Sequence, residues 1–338
     1  MVEIYGTLGP KCADIEILGQ MFRAGMTGIR VNMSHSSLEE AAPSLGLVRK
    51  AAENANAAYK LLIDMQGPEL RTGKLIEDIA LKEGDECVLA VCAANAADRG
   101  VITIPEEVMK AIRPGMQLLM DDGKLLIKIL RHGSDNRAVG LIERGGILKS
   151  RKSIAVPEAE IKPPALTAED IKNINAARKY GVYGIMQPFV RSRDDLLAVR
   201  KALDEAGASD VKVFAKIENR DGVKNLDTFM DAADEIIIAR GDLGNSMPLW
   251  ELPAVQKRIS AKCREAGKPF MVVTQMLASM EKNAVPTRAE VSDIFNAVLD
   301  GASSVMITGE TAAGEYPVEA VRYLANTVRE AADFISEY

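Results

Sequence analysis

The chain has 338 residues, 47% hydrophobic and 27% charged, the make-up of an ordinary globular protein with a large core. Lys plus Arg number 42 against 48 Asp plus Glu, a net charge of −6. That balance argues against a nucleic-acid binder, which needs a basic field, and leaves open a local cationic site for an anionic substrate. No run of about 18 apolar residues occurs, and the start lacks a basic stretch followed by an apolar one, so neither a membrane span nor a secretory leader is expected. The expected compartment is the cytoplasm. Cys12, Cys87, Cys92 and Cys263 form no CxxC and read as reduced, mostly buried thiols.

Short apolar runs alternate with amphipathic segments along the chain. A strand over residues 2–7 leads to a helix over 15–24; a strand over 28–32 leads to a helix over 38–54; a third strand covers 60–64. The rhythm resumes with a helix over 168–179. It continues as strand 184–189, helix 194–206, strand 212–218, helix 222–232, strand 235–239, helix 254–266, strand 269–274, helix 288–300, strand 303–308 and helix 317–334. Gly25, Gly181, Gly207, Gly267 and Gly301 stand just past helix ends, where a left-handed cap is wanted. Eight strand–helix pairs argue for a parallel (β/α)8 barrel, the TIM barrel, although a doubly wound sheet alternates in the same way.

From about Thr72 to Ala155 the text changes. Alternating runs over 86–91, 118–120 and 125–130 are broken by the turn signals Gly84-Asp85, Pro114-Gly115, Asp121-Asp122-Gly123 and Gly145-Gly146. The expected organisation is a barrel of residues 1–71 and 156–338 with a small β domain, 72–155, inserted after the third strand. Above the strand ends such an insert is placed to act as a lid.

The working face of a parallel barrel is its set of C-terminal strand ends. Arg30, Asn32, Ser34, His35, Asp64, Lys216, Glu218, Arg240, Asp242, Thr274, Gln275 and Glu310 fall there. Lys216 and Glu218 are two apart on one strand, so both point the same way. With Asp242 from the next strand they offer two carboxylates for an all-oxygen site suited to Mg²⁺ or Mn²⁺, and a lysine to neutralise substrate charge. Arg240-Gly241-Asp242-Leu243-Gly244 sets glycines beside that carboxylate, where backbone N–H groups can approach a substrate. Arg30 and Arg71 are candidate phosphate clamps. Neither G-x-x-x-x-G-K-[ST] nor G-x-G-x-x-G is present.

Taken in order, these strings resemble the pyruvate kinase family over nearly the whole chain. They are Thr7-Leu8-Gly9-Pro10, Arg30-Val31-Asn32-Met33-Ser34-His35, and Asp64-Met65-Gln66-Gly67-Pro68-Glu69-Leu70-Arg71. Lys216-Ile217-Glu218-Asn219, Ala239-Arg240-Gly241-Asp242-Leu243-Gly244, Thr274-Gln275-Met276-Leu277, Pro286-Thr287-Arg288-Ala289-Glu290 and Gly309-Glu310-Thr311-Ala312 follow. The resemblance implies a barrel with an inserted β-barrel lid and phosphoryl transfer between phosphoenolpyruvate and ADP, giving pyruvate and ATP. By motif position Glu218 and Asp242 would hold Mg²⁺, and Lys216 would neutralise the transferring group and the enolate. Thr274, Gly241 and Asp242 would hold the substrate carboxylate, with Arg30 and Arg71 on phosphoryl oxygens. Asn32, Ser34, Asp64 and Met65 would ligate K⁺, and Thr7, Pro10, Asn32, His35, Arg71 and Lys152 would lie near the nucleotide.

Some strings depart from the family pattern. Met65-Gln66 stands where Thr-Lys is usual, Arg151-Lys152-Ser153 where Lys-Lys-Gly is usual, Gln187-Pro188-Phe189 where Ala-Ser-Phe is usual, and Asn245-Ser246-Met247 where an acid-containing segment follows GDLG. The family continues past the eighth barrel helix whereas this sequence stops at Tyr338, so no effector site of that further domain is expected. A homo-oligomer, a dimer through helix segments 258–264 and 288–296, is expected. Two other readings stay open: a barrel enzyme using the Mg²⁺–enolate core on another 2-oxo acid, and a non-catalytic relative.

Overall fold

The computed structural model describes residues 2–337 apart from His35, Glu69, 92–99, Asp122, Ser134, Asp135, Glu160 and Lys162. The chain divides into two compact units, Met1–Gly67 with Ala165–Tyr338, and Pro68–Pro164. The inserted unit therefore extends beyond the expected 72–155 at both ends. Leu70 packs on its core and accepts the Ile154 N–H at 2.7 Å, and Ala159 and Ile161 pack on the same core. Arg71, assigned by the expected boundary to the barrel, belongs to the insert.

In the first unit eight parallel strands close into a barrel. They are β1 (Glu3–Thr7), β2 (Gly28–Asn32), β3 (Lys60–Asp64), β4 (Gly184–Gln187), β5 (Lys212–Ile217), β6 (Glu235–Ala239), β7 (Phe270–Val273) and β8 (Ser304–Met306). Each pairs with its neighbours in chain order, and β1 closes on β8 with Glu3 opposite Ser304. That closing pair is what a doubly wound sheet would lack, so the architecture is the TIM barrel. Four strands stop short of their expected ends, at Gln187, Ile217, Val273 and Met306. Beyond two of them the chain leaves extended geometry altogether: Phe189 and Thr274 take φ of 52° and 79°.

Alternation splits each strand between two cores. Ile29, Val31, Ile63, Ile185, Ala215, Ile217, Ile236, Ile238, Val272 and Val305 join the large cluster shared with the helices. Tyr5, Leu62, Met186, Phe214, Ile237, Ala239, Met271, Val273 and Met306 fill the barrel interior. Gly28 makes room for one of these: a Cβ there would stand 2.2 Å from Tyr5 Cε1.

Each strand is followed in the chain by a long helix: Ile15–Arg23, Leu38–Asn54, Ala168–Tyr180 (beyond the insert), Arg193–Glu205, Arg220–Phe229, Leu252–Glu265, Arg288–Leu299 and, after the last strand, Pro317–Glu337. Side-chain caps start several of them, as when Asp14 accepts the N–H groups of Glu16 and Ile17. The Thr167–Asp170 capping box also reaches outward, because Asp170 accepts the N–H groups of Gln66 and Gly67 after β3 at 2.9 and 3.0 Å. The five glycines expected as left-handed caps all have positive φ. No helix among the described residues is long and apolar enough to cross a membrane.

In the inserted unit the described strands form a six-stranded sheet in the order Ile154–Ala155, Gln117–Met120, Leu125–His132, Arg137–Arg144, Glu86–Val91, Val101–Ile104. Ile79–Leu81 and Gly146–Leu148 pair separately. Segment 70–73 joins the two edges of this sheet, the Gly73 N–H donating to Thr103 O at 2.9 Å on one side and the Thr72 N–H to Lys152 O at 2.8 Å on the other, as the expected β-barrel requires. A short helix, Glu106–Ala111, was not expected. Alternation in a sequence announces strands; their order and closure depend on register between segments far apart. Cys12, Cys87 and Cys263 are free and buried, and burial pushes the thiols of Cys87 and Cys263 up to about 11 and about 12. Cys92 lies outside the described residues.

Candidate active site

The interior set does not end in apolar residues. Continuing the inward parity of Tyr5, Leu62 and Phe214 along their strands gives Thr7, Asp64 and Lys216; the outward parity of Ile29 and Val31 leaves Arg30 and Asn32 facing in. The C-terminal end of the interior is therefore polar by construction. Arg30, Asp64, Met186, Lys216, Glu218, Ala239, Asp242, Val273, Thr274 and Thr308 line a cleft of about 200 Å³ there.

The charges in it are paired. Arg30 donates to Asp64 Oδ2 through Nη2 at 2.6 Å and Nε at 3.0 Å. Lys216 Nζ lies 3.0 Å from Asp64 Oδ1 and 3.0 Å from Glu218 Oε1. Glu218 Oε2 accepts the Phe189 N–H at 2.8 Å. Burial alone would raise the Asp64 carboxyl, but the Lys216 and Arg30 charges outweigh it and hold it below the ordinary value. Burial alone would lower the Lys216 ammonium, but Asp64 and Glu218 outweigh that, so it is raised and the lysine is charged at neutral pH. Burial raises Glu218, and the nearby Asp242 and Asp64 carboxylates add to it against the opposing pull of Lys216. Two cations and three carboxylates line the cleft, so it carries one net negative charge when all are ionised. A divalent cation would turn it positive.

The backbone around the cleft is strained. Thr274 and Gln275 are consecutive non-glycine residues at φ of 79° and 55°. A β-branched residue in that region is a genuine outlier, of a kind that persists where neighbours over-determine it and that clusters at functional sites. Gly241 faces it: a Cβ at Gly241 would meet Thr274 Cγ2 at 3.0 Å. Phe189, at φ of 52°, is the residue whose N–H holds Glu218.

The expected site residues are distributed as follows. Lys216, Glu218, Asp242, Thr274, Arg30 and Asp64 share the cleft, and Gly241 stands against Thr274. Asn32 is opposite Asp64 in register and accepts the Ser34 N–H at 3.0 Å, so Asn32, Ser34, Asp64 and Met65 come from two adjacent strand ends. Asp64 meets two cationic side chains, which residue type and spacing did not announce. Thr7 Oγ1 donates to Ile307 O at 3.1 Å, and Pro10 lies exposed in the turn after β1. Arg71 and Lys152 belong to the insert, where Arg71 donates to Arg151 O at 2.7 Å and Lys152 pairs with Asp121 at 2.7 Å. His35 and Glu69 lie outside the described residues.

Three supporting residues were not foreseen in their roles. Glu310 is buried and accepts the N–H groups of Leu277 and Thr308 at 3.1 and 2.7 Å, tying together the loops after β7 and β8. Asp170 tethers the loop after β3. Arg240 holds the Thr274 carbonyl. Asp170 had a readable signal in Thr167-x-x-Asp170; the other two act on backbone groups, which leave none.

A family model described as the pyruvate kinase barrel domain matches residues 1–321. The chain belongs to the pyruvate kinase family. It is 37% identical over 324 residues to a pyruvate kinase of Geobacillus stearothermophilus, a match covering 95% of this chain and 55% of that one. It is 39% identical to one of Schizosaccharomyces pombe, covering 96% and 65%, and 37% identical to one of Thermococcus litoralis, covering 98% and 70%. The chain thus spans little more than half the length of the Geobacillus pyruvate kinase. The motifs on which the sequence resembles pyruvate kinases include those that build the cleft, from Arg30 through Thr274.

Proposed function

We propose that the chain transfers a phosphoryl group between phosphoenolpyruvate and ADP, giving pyruvate and ATP. The observation that carries this reading is Lys216, a buried ammonium held between Asp64 and Glu218 in a cleft that Asp242 and Thr274 complete.

Phosphoryl transfer asks a protein for positioning and for charge where charge develops. In the direction of ATP synthesis an ADP phosphate oxygen takes the phosphoryl group, the bond to the enol oxygen breaks, and the enolate left behind gains a proton at its terminal carbon. Lys216, kept cationic by its two carboxylates, neutralises the enolate oxygen as it forms. Arg30 holds its planar donors toward phosphoryl oxygens while Asp64 fixes its orientation. Thr274, with the N–H groups of Gly241 and Asp242, holds the substrate carboxylate.

The donor set fits a divalent cation. Among the described residues no three His, Cys, Asp or Glu side chains gather as a metal cage. Glu218 and Asp242 both line the cleft, and Mg²⁺ is held by one or two carboxylates plus waters and substrate oxygens. Bound there, Mg²⁺ or Mn²⁺ would supply Lewis-acid neutralisation of substrate charge. A K⁺ site from Asn32, Ser34, Asp64 and the Met65 carbonyl belongs to the same proposal, supported by the register of Asn32 and Asp64. The contacts of Thr7, Pro10, His35, Arg71 and Lys152 with nucleotide or phosphate, lid action of the insert, a dimer through the two helix segments and cytoplasmic residence rest on family membership.

The test is coupled turnover of phosphoenolpyruvate with ADP and Mg²⁺, with and without K⁺, beside Lys216→Met. Turnover lost in the variant supports the reading. A folded, Mg²⁺-binding protein without turnover on any nucleoside diphosphate sinks it and favours another 2-oxo acid.

A further inference from the structure

Arg240 follows β6 and opens the short helix Arg240–Asn245. Its side chain is 10% exposed and is engaged at every nitrogen. Nε and Nη2 both donate to the Thr274 carbonyl, at 3.1 and 2.8 Å. Nη1 pairs with Asp293 Oδ2 at 2.6 Å and donates to Gln256 Oε1 at 3.5 Å. Nη2 also lies 2.9 Å from Met276 Sδ. The guanidinium thus joins the end of β7 to two outer helices, Leu252–Glu265 and Arg288–Leu299. It does not line the cleft; it lines a separate hollow of about 410 Å³ between those helices.

The peptide that receives the two hydrogen bonds is the strained one. Thr274 is β-branched at φ of 79°, and Gln275 follows at 55°. Asp293 balances the positive charge, leaving two charged N–H donors for one neutral carbonyl, and two donors on one oxygen fix the plane of the Thr274–Gln275 peptide. Gly241, the next residue along from Arg240, leaves the space into which the Thr274 methyl fits. Thr274 is therefore set from two sides by adjacent residues of one segment, with its side chain on the cleft wall. An ion pair serving only to tie helices together would have no need of a left-handed threonine at its end.

We infer that Arg240 is a positioning residue for the reaction: its guanidinium locks the Thr274–Gln275 peptide in the left-handed conformation and so places the Thr274 side chain in the cleft. This rests on the proposed phosphoryl transfer for its kinetic readout, but not for its structural one.

The experiment compares Arg240→Met, Arg240→Lys and Asp293→Asn in the full chain. Arg240→Met removes both bonds to the carbonyl, and a side chain misplaced by about 1 Å lowers rate by about 100-fold. We expect that loss in kcat, with the KM for ADP unchanged, because the interaction acts on the transition state rather than on nucleotide binding. Magnesium-dependent exchange of pyruvate methyl protons with deuterated solvent, followed by NMR without nucleotide, should fall with it. Arg240→Lys, which keeps one charged donor, should regain part of the rate. Asp293→Asn breaks the ion pair but spares the carbonyl, and should keep kcat near wild type; equal losses in Asp293→Asn and Arg240→Met would make Arg240 a tie between helices and overturn the inference. A crystal structure of Arg240→Met, or of Arg240→Lys if the first does not fold, reads the conformation directly. Thr274 leaving positive φ supports the inference, and Thr274 remaining there overturns it. Absence of turnover in the wild type would strike the proposed reaction while leaving this structural readout to judge Arg240.

Discussion

Lys216 Nζ stands 3.0 Å from Asp64 Oδ1, though 152 residues separate them in the chain. The contact crosses the top of the barrel interior and places a buried cation between two carboxylates. Breaking one arm of such a buried network leaves uncompensated charge, at a loss of about 3–5 kcal/mol. Asp64→Asn strips both Arg30 and Lys216 of their shared carboxylate. The expected outcome is a loss of that size in urea unfolding at neutral pH; a change below about 1 kcal/mol would show that the pairs carry little of the stability.

Metal binding should depend on two side chains. Titration calorimetry with Mg²⁺ alone should give a binding heat in the wild type that disappears in Glu218→Gln and in Asp242→Asn. The same isotherm in all three proteins would remove both residues from the proposed site.

Glu290 offers a stability test away from the cleft. It closes the capping box with Thr287 and also accepts the Ser279 N–H at 2.7 Å and the Ser279 hydroxyl at 2.6 Å. Burial alone would raise its carboxyl, but the hydrogen bonds from Ser279 and Thr287 outweigh that and hold it below the ordinary value. With a depressed folded value the unfolded chain takes up the proton first. The stabilisation is therefore full above the unfolded value of about 4.3 and fades as pH falls through the folded one. The stability difference between wild type and Glu290→Gln should be level from about pH 8 to 5.5 and shrink below about 4.3. A difference that stays constant down to pH 3 would contradict this.

The barrel floor should resist one added methyl group. A Cβ on Gly28 would meet Tyr5 Cε1 at 2.2 Å and the Lys60 carbonyl oxygen at 2.9 Å. Overpacking of this kind costs about 1–3 kcal/mol. Gly28→Ala should lower the melting temperature with the cleft residues untouched, whereas Gly46→Ala, where a Cβ meets nothing within 4 Å, should not lower it.

How much of this was legible follows from where the information sits. Eight strands were legible because strands such as Glu235–Ala239 are buried on both faces and read as continuous apolar runs. Lys216 and Glu218 were legible because a spacing of two puts charges on one face, and a charged pair inside a barrel demands a reason. The double pairing of Asp64 was not, because it needs β2, β3 and β5 brought to a common end. Arg240 was visible as a charge at a strand end, but its partner is a carbonyl oxygen, and every residue has one. The strand order of the insert was hidden for a related reason: its alternation was plain, while that order depends on pairings such as Cys87 with Gly140.

The seam between β1 and β8 bears on how the molecule is made. Thr7 gives its N–H to Thr311 Oγ1 and receives the Thr311 hydroxyl on its carbonyl, a clasp across 304 residues. At a synthesis rate of about 5–20 residues per second, the first strand waits roughly 15–60 seconds for the last to exist. For that interval β1 and whichever strand has emerged last offer bare edges to any neighbouring chain. The described residues of the insert's own core all precede Pro164, so its hydrogen bonds can form during the wait. The barrel's hazard is thus one of timing: the ring is safe once shut, and the nascent chain is exposed until its eighth strand is made.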